Sequence, residues 1–295
     1  MARYAGIEGG GTKFVVAFGS GPDDLGDPIV YPTTTPAETL GRAIAEIRDA
    51  GPVDAIGIAS FGPLDLRAGS EAHGHIAETP KPGWSGADVT GAFREAFDVP
   101  VGFDTDVNGA ALGEQRWGAA AGLATFVYLT VGTGIGGGGL VRSKPMRGLS
   151  HPEMGHIRVP RHPGDAFEGT CPFHGDCLEG MAAGPAIEAR WGKRGEHLGT
   201  DTEAAVELEA WYLGTALATL ALAVSPQRMV LGGGVMKLPG LLEAIRLVFL
   251  ERLGGYLPYE EVLDAGSFVV PAGLGDRAGV LGAIALAGEA ASAAR

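Results

Sequence analysis

Basic residues, cysteines and long apolar runs are all scarce in this sequence, and each shortage closes off a class of function. Twenty-two Lys and Arg stand against thirty-five Asp and Glu, a formal net charge of −13. A nucleic-acid groove needs clustered cations facing phosphates, so nucleic acid is not an expected partner. No apolar run reaches the roughly 18–20 residues that span a bilayer. The nearest, Leu213 to Val224, reads as a buried helix, and no membrane partner is expected. The first residues, Met1 to Ile7, lead directly into a strand pattern without a secretory apolar segment, so the expected compartment is the cytoplasm. Only two cysteines occur, Cys171 and Cys177, both in one short loop. That is a poor disulfide framework and a plausible metal clip. No glycine-rich loop ending in Lys-Ser or Lys-Thr lies between a strand and a helix, which removes the P-loop folds.

What remains is a chain with 45% hydrophobic residues, enough for two ordinary domains or one large one with a deep cleft. Its 50 glycines are concentrated rather than spread: Gly9 to Gly11, Gly132 to Gly139, Gly232 to Gly234, and Gly273 to Gly279. Strand patterns cover 4–8 and 12–19, then 126–131 and 136–142, each pair joined by glycines. The two halves of the chain therefore each begin with a glycine-turned hairpin. Helices are expected at 36–50, 85–97, 107–117, 183–191, 202–224, 240–253 and 279–294, and further strands at 55–60, 101–104, 228–231 and 267–271. The alternation predicts an α/β architecture. The expected domains are 1–118, completed by the helix in 279–295, and 119–278, with a soft boundary near 115–122. The stretch 143–178 reads as loop.

Aromatic and β-branched residues (Phe14, Val15, Val16) follow the first glycine turn, so a strand rather than a dinucleotide-binding helix comes next. Two such turns can offer backbone N–H groups, with the hydroxyls of Thr12 and Thr133, to a phosphate chain. Asp106 ends a short strand and opens a helix, the place for a base at a substrate-facing rim. The same position suits a helix N-cap, and Asp104 is a rival whose side chain alternates to the opposite strand face. Cys171, His174 and Cys177 are spaced by two residues each. With one further histidine, from His151, His156 and His162, they complete a tetrahedral structural zinc site. His73, His75 and His197 read as ordinary core or surface residues.

Ile7-Glu8-Gly9-Gly10-Gly11-Thr12-Lys13, Thr105-Asp106-Val107-Asn108, Val131-Gly132-Thr133-Gly134-Ile135-Gly136-Gly137 and Glu153-Met154-Gly155-His156 resemble the successive motifs of the ROK family of sugar kinases and related repressors. The resemblance implies a two-domain actin-like, ribonuclease-H-like ATPase fold with a cleft between the domains. Glu78 to Trp84 and Cys171 to Glu179 are most similar to the zinc-containing fructokinases of that family.

The resemblance implies an ATP:hexose 6-phosphotransferase. Fructose is the expected acceptor and mannose or glucose the alternatives. A sugar-sensing regulator would need a DNA-binding domain and a basic face. Phosphates of Mg·ATP are expected at Gly10, Gly11, Thr12, Lys13, Thr133 and Gly134, with Gly233 and Gly234 near the adenosine and Gly184 and Pro185 across from them. Asp106 is the implied base toward the sugar 6-hydroxyl. Thr105, Asp106, Glu153, His156 and Glu179 are the implied sugar contacts, with Asn108 supporting the turn and Thr79, Pro82 and Trp84 as further lining residues, Trp84 reading equally as simple core. His156 is the implied fourth zinc ligand, and a homodimer the implied assembly. Glu8 departs from the aspartate that many family members carry there.

Overall fold

The computed structural model describes residues 2–67 and 69–295. The chain divides into two compact units, Met1–Gly122 with Pro145–Pro152 and Asp276–Arg295, and Leu123–Lys144 with Glu153–Gly275.

The first unit contains β1 (Tyr4–Gly9), β2 (Lys13–Gly19), β3 (Ile29–Pro32), α1 (Pro36–Ala50), β4 (Ala55–Ser60), α2 (Val89–Ala96), β5 (Val101–Thr105) and α3 (Asp106–Trp117). Its sheet runs β3-β2-β1-β4-β5. β1 and β2 form an antiparallel hairpin, whereas β4 and β5 follow in parallel beside β1. The buried face gathers Ile7, Phe14, Tyr31, Ile58, Trp84 and Phe93.

In the second unit β6 (Phe126–Val131) and β7 (Ile135–Val141) make the hairpin, followed by β8 (Lys144–Pro145), where the chain passes back to the first unit. Then come α4 (Leu178–Ala182), α5 (Gly184–Trp191), α6 (Thr202–Val224), β9 (Met229–Gly232), α7 (Leu241–Leu253), α8 (Glu260–Leu263), α9 (Ala265–Phe268) and β10 (Val269–Pro271). The order β10-β9-β6-β7-β8 repeats the first sheet's plan: an antiparallel hairpin whose inner strand continues into parallel neighbours.

The last helix, α10 (Ala278–Ala293), lies on β4 and α3 of the first unit. At Gly57 a Cβ would come within 1.8 Å of the Ala283 carbonyl oxygen, so the helix can approach this strand only because the residue is glycine.

Three sequence expectations change. The segment Pro145–Pro152, expected in the second half, belongs to the first unit, where Arg147 pairs with buried Asp104 and His151 Nε2 accepts the Leu64 N–H at 3.0 Å. The helix expected at 85–97 shortens to α2, because Asp88 caps it by accepting from Gly91 N–H at 2.7 Å. The strand expected at 267–271 keeps only Val269–Pro271, since Ala265–Phe268 closes a helical turn beforehand.

Candidate active site and metal knuckle

The first glycine turn is closed by Gly10 N–H donating to the Lys13 carbonyl at 2.9 Å. Thr33 grips it twice, its N–H donating to Thr12 O at 2.9 Å and its hydroxyl to Gly10 O at 2.6 Å. Gly11, Thr12 and Lys13 remain exposed, and a Cβ on Gly11 would meet open space, so this tip is available to a ligand. Beneath it, the Glu8 carboxyl group rests against Gly279 in the first turn of α10. Burial raises its pKa; the Lys13 ammonium opposes the shift and Asp276 adds to it.

At the end of β5, two aspartates take different roles. Asp104 is fully buried and accepts from Thr105 N–H at 2.7 Å and Asn108 Nδ2 at 3.0 Å, with Arg147 as its ion-pair partner. Asp106 is only half-buried and begins α3. The N-cap is Thr105, whose hydroxyl accepts from Asn108 N–H at 3.1 Å, so the capping role considered for Asp106 falls to its neighbour. Thr105 is itself buried, and its hydroxyl holds the turn. Asn108 supports the turn as expected, while Arg147 has no sequence signal beyond its charge. Trp84 is core: it is fully buried, its ring centroid lies 5.7 Å from that of Phe14 and 5.2 Å from that of Phe61, and its Nε1 donates to Thr34 O at 2.8 Å. Thr79 bonds with Ser85, and Pro82 is exposed.

In the second unit, Gly132 N–H donates to Gly134 O at 2.9 Å and closes the Gly132-Thr133-Gly134 turn. Its braces are a side chain and a helix end. Glu179 Oε2 accepts from Ile135 N–H at 2.9 Å, and Gly184 N–H, opening α5, donates to Gly132 O at 2.7 Å. Glu179 thus spends one oxygen on the hairpin. Gly155, between Glu153 and His156, sits so close that a Cβ would fall 1.9 Å from the Ile135 carbonyl oxygen. Thr133, Pro185, Gly233 and Gly234 are exposed, and Glu153 is exposed at the edge of the same region of sequence.

His156, Cys171, His174 and Cys177 converge, with all four ligand atoms within 4.8 Å of one another. The Nδ1 of His156 lies 3.5 Å from Cys177 Sγ and 3.7 Å from Cys171 Sγ, and His174 Nδ1 lies 3.7 Å from Cys171 Sγ. A tetrahedral zinc with bonds of about 2.3 Å to sulfur and about 2.0 Å to nitrogen requires N···S edges of about 3.5 Å, so the donor set fits. Burial raises the Cys177 thiol pKa and the neighbouring Cys171 adds to it, a cost that a dication relieves. The fallback histidines are elsewhere: His151 bonds Leu64, and His162 lies 3.7 Å from Glu207 and edge-on to Trp211.

Behind the knuckle lies a polar cluster that no motif announces. Asp165 accepts from Tyr212 Oη at 2.6 Å and Arg190 at 3.2 Å, and Arg190 also donates to Met181 O on α4 at 3.1 Å. Glu209 is fully buried 3.8 Å from Arg190. Arg158 and Arg161 both pair with Asp176, which lies between His174 and Cys177 in sequence.

Two hairpin-led mixed sheets, each carrying an exposed glycine turn, define the two-domain α/β fold of the actin-like ATPases. Within that class the chain belongs to the ROK family, whose model matches residues 4–290. It is 49% identical to a fructokinase of Zymomonas mobilis, over 96% of each chain. A fructokinase of Pediococcus pentosaceus is 42% identical, covering 95% of this chain and 96% of its own. Among solved structures, the ROK hexokinase of Thermus thermophilus superposes with a TM-score of 0.77 at 32% identity, over 97% of this chain and 98% of that one.

Proposed function

We propose that this protein is a fructokinase that transfers the γ-phosphoryl group of ATP to the 6-hydroxyl of D-fructose. The observation that carries the reading is the near full-length likeness to fructokinases at 42–49% identity. The state of Asp106 supports it: half-buried at a helix start, with its rival Asp104 fully occupied.

In this reading Asp106 accepts the 6-hydroxyl proton as the O6–P bond forms and the bond to the ADP oxygen breaks. The backbone N–H groups of Gly11, Thr12, Thr133 and Gly134, with the Lys13 ammonium, hold the phosphates, and Gly10, whose own N–H closes the turn, shapes the tip. Gly184, Pro185, Gly233 and Gly234 hold the nucleoside. With Mg·ATP as donor, the cation supplies charge neutralisation at the phosphate oxygens. Sugar hydroxyls are taken by Asp106, Glu153, His156 and Glu179, with Thr105 fixing the turn. His156 directs Nδ1 toward the cysteines, which leaves Nε2 for a hydroxyl. Zinc held by His156, Cys171, His174 and Cys177 would crosslink a loop with little regular structure and so fix these contacts.

Cysteines committed to a metal suit the reducing cytoplasm, and among the described residues no helix is long and apolar enough to cross a membrane. A homodimer is the assembly the family resemblance implies. A coupled ADP-release assay across fructose, mannose, glucose and N-acetylmannosamine, before and after zinc stripping, tests the reading. Preference for fructose that disappears with the metal is expected; ADP release with no hexose would contradict it.

A further inference from the structure

Lys81 is a half-buried cation beside the first glycine turn, and no counter-ion accounts for it. Its Nζ donates to Thr33 O at 3.2 Å. Thr33 is in turn bonded to Thr12 O and Gly10 O, so the ammonium is fixed one residue away from the phosphate-turn backbone. Its segment is firmly seated, because Trp84 is locked into the aromatic core and bonded to Thr34 O. Among the described residues no carboxylate pairs with Lys81, although acids outnumber bases by 13 in this chain. Arg190, whose side chain is buried in the second unit, has the acidic partners Asp165 and Glu209. Two of the three N–H bonds of the Lys81 ammonium are not used by Thr33 and remain for a ligand oxygen.

We infer that Lys81 neutralises a phosphoryl oxygen at the first glycine turn, either on the γ-phosphoryl group of ATP or on the sugar phosphate product. The inference rests on the kinase reading above and adds a residue to it. Lys81 contributes no covalent step; its charge stabilises negative charge on the group in transit.

The alternative role, bracing Thr33 by a hydrogen bond alone, is separable by substitution. Lys81→Gln keeps an N–H donor and loses the charge, whereas Lys81→Arg keeps the charge. If Lys81 faces phosphate, K81Q and K81M lower kcat about 10²-fold, the scale for losing one such donor. K81R then retains most of the activity, and the KM for fructose is unchanged in all three. Product inhibition by fructose 6-phosphate should weaken in K81Q, a readout that a brace would not move. Thermal melts and calorimetric fructose binding establish that each variant is folded. Wild-type turnover and product inhibition in K81Q would overturn the inference while leaving the kinase reading intact. A wild-type protein that phosphorylates no hexose would instead remove the reading on which it rests.

Discussion

The two glycine turns have the same local form and are held by opposite kinds of chemistry. In the first unit the turn stands on Phe14, Trp84 and Tyr31, and its polar braces come from Thr33, next to a strand. In the second unit the turn leans on the Glu179 carboxylate, in a helix that follows directly from Cys177, and on the start of α5. Beside that helix are the His156, Cys171, His174 and Cys177 cluster and a buried set of charged side chains. An apolar core needs no ion to hold its shape, whereas paired cysteines and buried charges hold theirs only while every partner is present. The first turn should therefore be indifferent to the metal, and the second sensitive to it.

The largest break in this comparison comes from the metal. Cys177→Ser, or chelation, should unfold the loop in 153–180, abolish fructose phosphorylation and raise amide hydrogen exchange at Gly134 and Ile135. Exchange at Gly10 to Lys13 should stay as it was. Equal exposure of both turns would show that the knuckle supports the whole chain rather than its own unit.

Next in size is Gly155→Ala, since the added Cβ meets backbone at 1.9 Å and cannot be accommodated by a side-chain shift. Activity should fall with retained zinc stoichiometry, measured by a chromophoric chelator after denaturation. Arg190→Met follows. Removing one partner of a buried pair leaves Asp165 uncompensated and should cost about 3–5 kcal/mol. A lower Tm with faster zinc release is expected; unchanged zinc release would disconnect the cluster from the knuckle.

The smallest effect is pH-dependent. Burial pushes Glu209 well above its ordinary value of 4.5, with Arg190 opposing and Asp165 reinforcing the shift. The folded state then holds the proton more tightly than the unfolded state. The stability from Glu209 is complete below 4.5 and is lost as pH rises toward the folded-state value. Glu209→Gln, which cannot ionise, should flatten the decline of Tm as pH rises above 4.5. A decline as steep as in the wild type would assign it to other groups.

Much of this arrangement is legible in the sequence because it depends on local signals. Glycine turns between strand patterns, two cysteines flanking a histidine, and an aspartate at a strand–helix junction each identify themselves within about ten residues. The hairpins, the knuckle and the Asp106 turn could be read for that reason. What could not be read depends on contacts distant in sequence. Arg147 meets Asp104 across 43 positions and Lys81 meets Thr33 across 48, and no periodicity encodes either pairing. The excursion of Pro145–Pro152 into the first unit is missed on the same ground, because it is fixed by Asp104 and Leu64 rather than by its own composition. Trp84 shows the converse limit: its motif suggests a lining role and its type a core one, and packing decides for the core.

The central claim is that Asp106, and not Asp104, takes the proton of the acceptor hydroxyl. Steady-state ADP release by Asp106→Asn, paired with calorimetric titration of fructose into the same preparation, tests it most directly. The account predicts a loss of kcat of at least about 10²-fold with fructose binding and Tm close to those of the parent. Undiminished turnover would contradict it and move the base to another residue.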